Sequence, residues 1–233
     1  MSQYNRAYFE ENQQLGDRPA LRWYARVCNR LLGRPNGDIF EYGCGTGWLM
    51  HHLMERHHVT GYDASEFCLQ QARQNAPQAT ICADLAQLQP GSSDLVVSLH
   101  TLEHVPEPSI IISFLADLLR PGGLLLFVVP AVNGLGHKLR RKEWFGYRDE
   151  THISLLDEAE WRGAVARAGL RIVKEAGDGL WDPPYVRWLP RWLQLAIFGA
   201  PAAIQVWLAG GRLIMPSAWS ECLILVSQKP SSP

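Results

Sequence analysis

The residues best suited to chemistry in this 233-residue chain are a carboxylate and three glycines, Glu41-Tyr42-Gly43-Cys44-Gly45-Thr46-Gly47. Glycines at every second position let a ligand lie against bare backbone, and the first amides of a following helix have no internal partner. A dinucleotide turn needs its third glycine three residues after the second, whereas here the gap is two. Glu41 stands just ahead of the glycines, where a carboxylate disfavours a pyrophosphate and suits a cationic or hydroxyl-bearing ligand. Two further acids end apolar, β-forming runs: Asp63 after Val59–Tyr62, and Asp84 after Thr80-Ile81-Cys82-Ala83. An acid about twenty residues beyond the glycine turn can accept both ribose hydroxyls in α/β nucleotide folds. The other reading of Asp63 is a helix N-cap for residues 66–74, and Asp84 alone is an ordinary turn or cap residue.

Imidazoles form the second set. His100 follows the apolar run Ser93–Leu99 and precedes Thr101-Leu102-Glu103-His104-Val105-Pro106, and His152 closes Asp149-Glu150-Thr151-His152. An imidazole titrating near neutrality can take the proton from a hydroxyl acceptor. His152 can equally hydrogen-bond its own loop shut, and Glu103 and His104 read as holding loop and helix together. His51, His52, His57 and His58 lie on and after one helix with no carboxylate or cysteine set converging on them, so no metal is expected.

The elements that must position these groups follow from periodicity. Ile39, Phe40 and Tyr42 start a strand, and Trp48-Leu49-Met50 with Leu53-Met54 restore helical spacing after the glycines. Leu21 to Leu32 is a helix closed by Gly33, and Tyr4 to Leu15 a weaker one carrying Tyr4 and Tyr8. Strands over 59–62, 80–85, 93–100 and 124–129 alternate with helices, the last entered through the turn Arg120-Pro121-Gly122-Gly123. A helix over 156–168, with Asp157 near its start, leads to a sixth strand at 170–175. Glu221–Ser227 is a seventh, with a frayed tail after Gln228. Alternation of this kind argues a doubly wound parallel sheet with its site at the strand C-termini.

The acidic residue before Gly-x-Gly-x-Gly, the phrases Leu102-Glu103-His104-Val105-Pro106 and Leu119-Arg120-Pro121-Gly122-Gly123, and Asp149-x-Thr151-His152 together resemble class I S-adenosylmethionine-dependent methyltransferases, particularly small-molecule members. The resemblance covers 38–130 well and fades beyond. It implies a Rossmann-like α/β fold with a doubly wound seven-stranded sheet, mostly parallel with an antiparallel last strand between strands five and six. It implies S-adenosyl-L-methionine as cofactor, held by Glu41, Gly43, Cys44, Gly45, Gly47, Asp63, Ala64, Asp84, Leu85 and Leu99, with leading helices folded over it. Asp84 would approach the adenine amino group and the Leu85 amide the ring. His152 and His100 are then the candidate catalytic bases for a small-molecule acceptor.

The chain reads as one domain: N-terminal helices 1–35, cofactor core 36–130, substrate loop, helix and sixth strand 131–178, an apolar insertion 179–219, and the last strand with its tail 220–233. A formal net charge of -1 gives no pull toward nucleic acid. Five scattered cysteines and an N-terminus without an apolar core argue a reduced, cytoplasmic protein that is not exported. Five of the nine tryptophans fall between Trp181 and Trp219, and no charge interrupts Trp192 to Gly211, which Arg187, Arg191 and Arg212 flank. A single crossing would strand the seventh strand across the bilayer from its sheet. A hairpin or in-plane pair of helices at a membrane surface is therefore one reading. The other is a hydrophobic cap on its own domain or on a second subunit. The acceptor follows the same fork: an amphiphilic quinone, polyprenyl or lipid-linked sugar, or a soluble metabolite. A non-catalytic binding module and an NAD-linked oxidoreductase are the rivals from other classes.

Overall fold

The computed structural model describes residues 4–12 and 15–231. Met1–Gln3, part of the export reading, Gln13 and Gln14 of the first expected helix, and the last two residues of the tail lie outside them. Seven strands form one sheet: β1 Asp38–Tyr42, β2 His58–Tyr62, β3 Thr80–Cys82, β4 Ser93–Leu99, β5 Leu119–Pro130, β6 Arg171–Gly177 and β7 Cys222–Gln228. Their order is β3-β2-β1-β4-β5-β7-β6, with β7 antiparallel to both β5 and β6. This is the doubly wound, Rossmann-like sheet expected of the resemblance.

Alternation along the central strands fills two cores. Leu95 and Val97 of β4 and Ile224 and Val226 of β7 join the face covered by α2 (Pro19–Leu32), α3 (Trp48–Leu53) and α4 (Glu66–Asn75). Val96 of β4 and Leu223 and Leu225 of β7 join the face covered by α5 (Pro108–Leu118) and α8 (Glu158–Arg167), between which the chain forms the short helices α6 (Leu135–Arg140) and α7 (Phe145–Arg148). Period-two side chains with both faces buried explain why these runs read as continuously apolar. Local signals set the helix ends: Gly33 closes α2 at φ 64°, and Asp157 and Glu160 form a reciprocal capping box on α8.

Three expectations need correction, and the alternative reading of Asp63 as a helix cap falls away. The N-cap of α4 is Ser65, whose hydroxyl accepts from Cys68 N, which leaves Asp63 free for the glycine turn. Strand five begins at Leu119, because Ser93 pairs with Leu119 before the register shifts and Leu95 meets Leu124; the Arg120–Gly123 turn sits inside that irregularity. The chain past Gln228 is anchored at Lys229, whose ammonium donates to the carbonyls of Ala116 and Leu119 at 2.9 Å each. The insertion contains one long helix, α9 (Arg191–Trp207), rather than a pair, and it runs through Pro201.

That helix is inverted. Its buried residues are Gln194, Ala202 and Gln205, while Trp192, Ile197, Ile204 and Trp207 face solvent. Gln194 Oε1 accepts from Tyr185 N at 2.5 Å and Val186 N at 2.9 Å, and its amide donates to Val186 and Leu189 carbonyls. Gln205 likewise accepts from Ile214 N and Met215 N and donates to Gly177 O. Irregular chain on both sides of α9 has backbone groups that need partners, and the two amides supply them from the inner face.

Glu221 ties the insertion to the domain. Its fully buried carboxylate accepts from Trp144 Nε1 at 2.9 Å and Tyr185 Oη at 2.5 Å. Burial pushes its pKa up to about 7, against 4.5 for an ordinary glutamate. Between those values the folded chain keeps a proton that the unfolded chain releases, so this group stabilises on the acid side and the effect fades as pH rises through 7. Glu221→Gln, which mimics the protonated acid, is expected to exceed wild type at pH 8 by on the order of 2–3 kcal/mol and to match it near pH 4.5. Thermal melts of both proteins across that range check this.

Candidate functional site

At the C-terminal tip of β1 the backbone turns through Gly43, Gly45 and Gly47, all at positive φ. A Cβ on Gly43 would lie 2.2 Å from Thr101 Oγ1, and one on Gly47 2.7 Å from Ala72 Cα, so these two must be glycine. At Gly45 the nearest atom to a Cβ is in the ring of Phe9, at 4.0 Å. Phe9 belongs to α1 (Arg6–Glu11), which lies over the turn as expected of a leading helix. Asp63 accepts from Gly45 N at 2.9 Å and from Ser65 N at 2.8 Å, bracing the turn against β2. Cys44 N donates to Tyr62 O in the same brace, and the Cys44 side chain is buried.

Glu41 is the informative member. It is buried, its Oε2 has no hydrogen-bond partner, and burial followed by the nearby Asp63 charge holds its pKa well above the usual range. Burial likewise raises Asp63, although its amide bonds oppose this. An orphaned carboxylate beside a second one, under a bare glycine backbone, fits a ligand bringing an ammonium and hydroxyls. Asp84, at the tip of the adjacent strand β3, is exposed and caps the next turn by accepting from Ala86 N at 3.0 Å; Leu85 follows it. Ala64 follows Asp63 at the tip of β2, and Leu99 ends β4.

His100, directly after β4, has φ 52°, a conformation uncommon outside glycine. Its Nδ1 lies 3.5 Å from Oε1 of Glu103, which is 0% exposed, and neither Glu103 oxygen has a hydrogen-bond partner. The main chain of Glu103 does hold the loop, accepting from Ile153 N and Ser154 N, while its carboxylate does not. His152 sits in that loop with Nδ1 2.8 Å from the Gly146 carbonyl, and its ring centroid is 4.7 Å from that of His104. Desolvation lowers the pKa of His104.

Asp149 gathers the rim. It accepts from Tyr8 Oη at 2.7 Å and from Thr151 N and Oγ1. Burial opposes ionisation, but these bonds outweigh it and keep Asp149 below the ordinary carboxylate range. Tyr8 thus pins α1 to the 149–152 loop, and Tyr4 packs edge-on against both Tyr8 and His104. His51, His52 and His57 go to separate partners, Asn75 O, Asp17 and Asn29. Among the described residues a different set converges: Glu103, His104 and His152 have ligand atoms within 4.8 Å of one another. Sequence reasoning missed this set and Glu221; His104 and His152 are far apart in the chain, and only the loop return brings them together.

The family model described as a methyltransferase domain matches residues 13–175. The chain belongs to that family. S-adenosylmethionine is its cofactor. Curated relatives include the ubiquinone biosynthesis O-methyltransferase of Idiomarina loihiensis, 39% identical over 42% of this chain and 44% of its own length. Its counterpart in Bordetella pertussis is 32% identical over 46% of this chain and 47% of its own. The match thus spans less than half the length of these relatives. Among solved structures, magnesium protoporphyrin IX methyltransferase from Synechocystis with bound SAH has a TM-score of 0.65 at 21% identity, over 97% of this chain and 96% of that one. A SAM-dependent methyltransferase from Archaeoglobus fulgidus scores 0.66 at 15% identity, over 97% and 100%. These two carry the fold alone.

Proposed function

We propose that this chain moves a methyl group from S-adenosylmethionine to a hydroxyl of an amphiphilic, lipid-linked acceptor drawn from a membrane surface. Bound cofactor supplies an electrophilic methyl on a sulfonium. The chain's own task is to align and dry the reaction: the glycine turn, Glu41 and Asp63 fix the donor, and α1, clamped through Tyr8 and Asp149, excludes water. Asp84, Leu85, Ala64 and Leu99 belong to the same donor site in this reading. Of the two base candidates, His100 has the better geometry, a half-exposed imidazole on constrained backbone with the Glu103 carboxylate behind it. It would take the acceptor's hydroxyl proton.

The observation that carries the acceptor class is the outward face of α9. Trp192, Ile204 and Trp207 of α9 are exposed, as are Trp188 and Leu208 in the chain that flanks it, Trp188 at 83%, and Arg187, Arg191 and Arg212 are exposed too. Large exposed apolar faces with tryptophan and arginine suit the headgroup region of an anionic bilayer. The insertion leaves the C-terminal tip of β6, the sheet edge that bears the glycine turn and His100. No helix among the described residues is long and apolar enough to cross a membrane, so contact would be in-plane. The relatives' name, ubiquinone biosynthesis O-methyltransferase, supports a lipid quinol as the kind of acceptor.

Two experiments test this. Labelled S-adenosylmethionine incubated with the protein and a cell lipid extract is expected to leave label in the organic phase; cofactor binding without transfer would favour the non-catalytic module, and label only in water-soluble products would favour a soluble metabolite. In flotation with phosphatidylglycerol vesicles, Trp188→Ser with Trp207→Ser is expected to lose binding. Half of a roughly 200 Å² indole is worth about 2 kcal/mol, hence at least about tenfold per tryptophan. Equal flotation of variant and wild type, or none of either, would sink the membrane reading.

A further inference from the structure

We propose that Trp181, pinned by Asp178 and backed by Phe145, is the specificity-determining residue for the acceptor: its ring face stacks a planar aromatic ring and so selects a phenol over an aliphatic alcohol. On the methyl-transfer reading, which this role presupposes, Trp181 decides between ring and chain hydroxyls.

Trp181 is held differently from the tryptophans of α9. It is 43% exposed, yet its indole N–H donates to Asp178, a buried carboxylate directly after β6. Asp178 is fixed in turn, because its other oxygen accepts from Cys222 N at 2.8 Å at the start of β7. Burial raises the Asp178 pKa, and the bonds to Trp181 and Cys222 oppose that. The indole packs on Phe145, with ring centroids 5.1 Å apart and planes tilted by 48°. A ring held at its nitrogen and along one side is not free to turn outward to a headgroup layer, so its open face is left for a ligand.

Position joins this wall to the reacting groups. Phe145, the first residue of α7, packs with Leu99 against the core that holds Cys44 and Cys222, so the aromatic pair stands on the side of the sheet that carries the glycine turn. Leu99 of β4 lies opposite Val128 of β5, and Cys222 lies opposite Pro130 of the same strand. Asp178 reaches Cys222 from beyond, and the charge of His100 acts on it. Trp181 and His100 thus flank one carboxylate at one end of the sheet, and a ring stacked on the indole brings its hydroxyl toward His100. A phenol also suits an imidazole base: its hydroxyl titrates at about 10, as in tyrosine, whereas an aliphatic hydroxyl is about as weak an acid as water.

The test is calorimetry on the full chain saturated with S-adenosylhomocysteine, which prevents turnover. It is titrated with 4-propylphenol and with 4-propylcyclohexanol, which is similar in size but lacks the aromatic face. Wild type is expected to bind the phenol at least about tenfold more tightly. Trp181→Ala should remove that preference, Trp181→Phe should keep most of it, and Trp188→Ser should not alter it. Asp178→Asn should weaken phenol binding about 3–10-fold in wild type and no further in Trp181→Ala, because Asp178 acts through the indole. Equal affinity for the two compounds, no binding of the phenol, or an undiminished preference in Trp181→Ala overturns the assignment. Should Trp181→Ala fail to fold, Trp181→Leu replaces it, and a preference retained there overturns the assignment as well. Phenol binding with no label transfer from S-adenosylmethionine would defeat the methyl-transfer reading, whereas equal transfer to both compounds would defeat the role of Trp181 alone.

Discussion

His100→Asn is expected to lower single-turnover methyl transfer by about 10²–10⁴-fold while leaving S-adenosylmethionine affinity nearly unchanged. Asparagine is the informative replacement. His100 sits at φ 52°, which asparagine tolerates far better than most residues, so the backbone at the tip of β4 should survive the change. What is lost is an imidazole able to take a proton, together with its contact to the buried Glu103 carboxylate. Label transfer from cofactor into the lipid extract measures the rate, and calorimetry on the same protein measures cofactor affinity. A variant with the wild-type rate would mean that His100 only shapes the loop.

Glu41→Gln is expected to push two measurements in opposite directions. Without ligand the buried carboxylate has an oxygen with no partner and faces the Asp63 charge, so the amide should raise stability by about 1–2 kcal/mol. Cofactor binding should weaken by roughly 10–100-fold, because a charge-assisted bond to the ligand's ammonium is worth about 1.5–3 kcal/mol. Thermal melting and calorimetry on the same samples give both numbers. A residue placed for packing would show loss or neutrality in both; opposite signs identify a group whose strain is relieved only by its ligand. Retained affinity would remove Glu41 from the donor site.

How much was legible depended on whether the signal was local. The glycine spacing forces a bend that only glycine permits, and the acids end short β-forming runs, so the donor turn and its carboxylates could be read from neighbours in the chain. Asp63 shows the limit. Its position was clear, but whether it capped a helix or braced the turn depended on Ser65 and on the Gly45 amide eighteen residues earlier. The Glu103 set depended on a contact between loops nearly fifty residues apart. Lys229 looked like a loose tail because the carbonyls that hold it end α5, more than a hundred residues back.

The insertion draws the division most sharply. By itself the sequence determined that 192–211 is apolar and bounded by arginines, because hydropathy and charge are properties of the residues themselves. It determined the order of strands and helices as well, since the switch between periods of 2 and 3.6 is written along the chain. Only the tertiary structure decided which face of α9 turns inward. Periodicity would bury tryptophan and isoleucine, yet irregular backbone on both flanks needed hydrogen-bond partners, and two glutamines on one stripe could reach it. Unmet backbone polarity outweighed apolar burial there, and so the greasy face was left looking out.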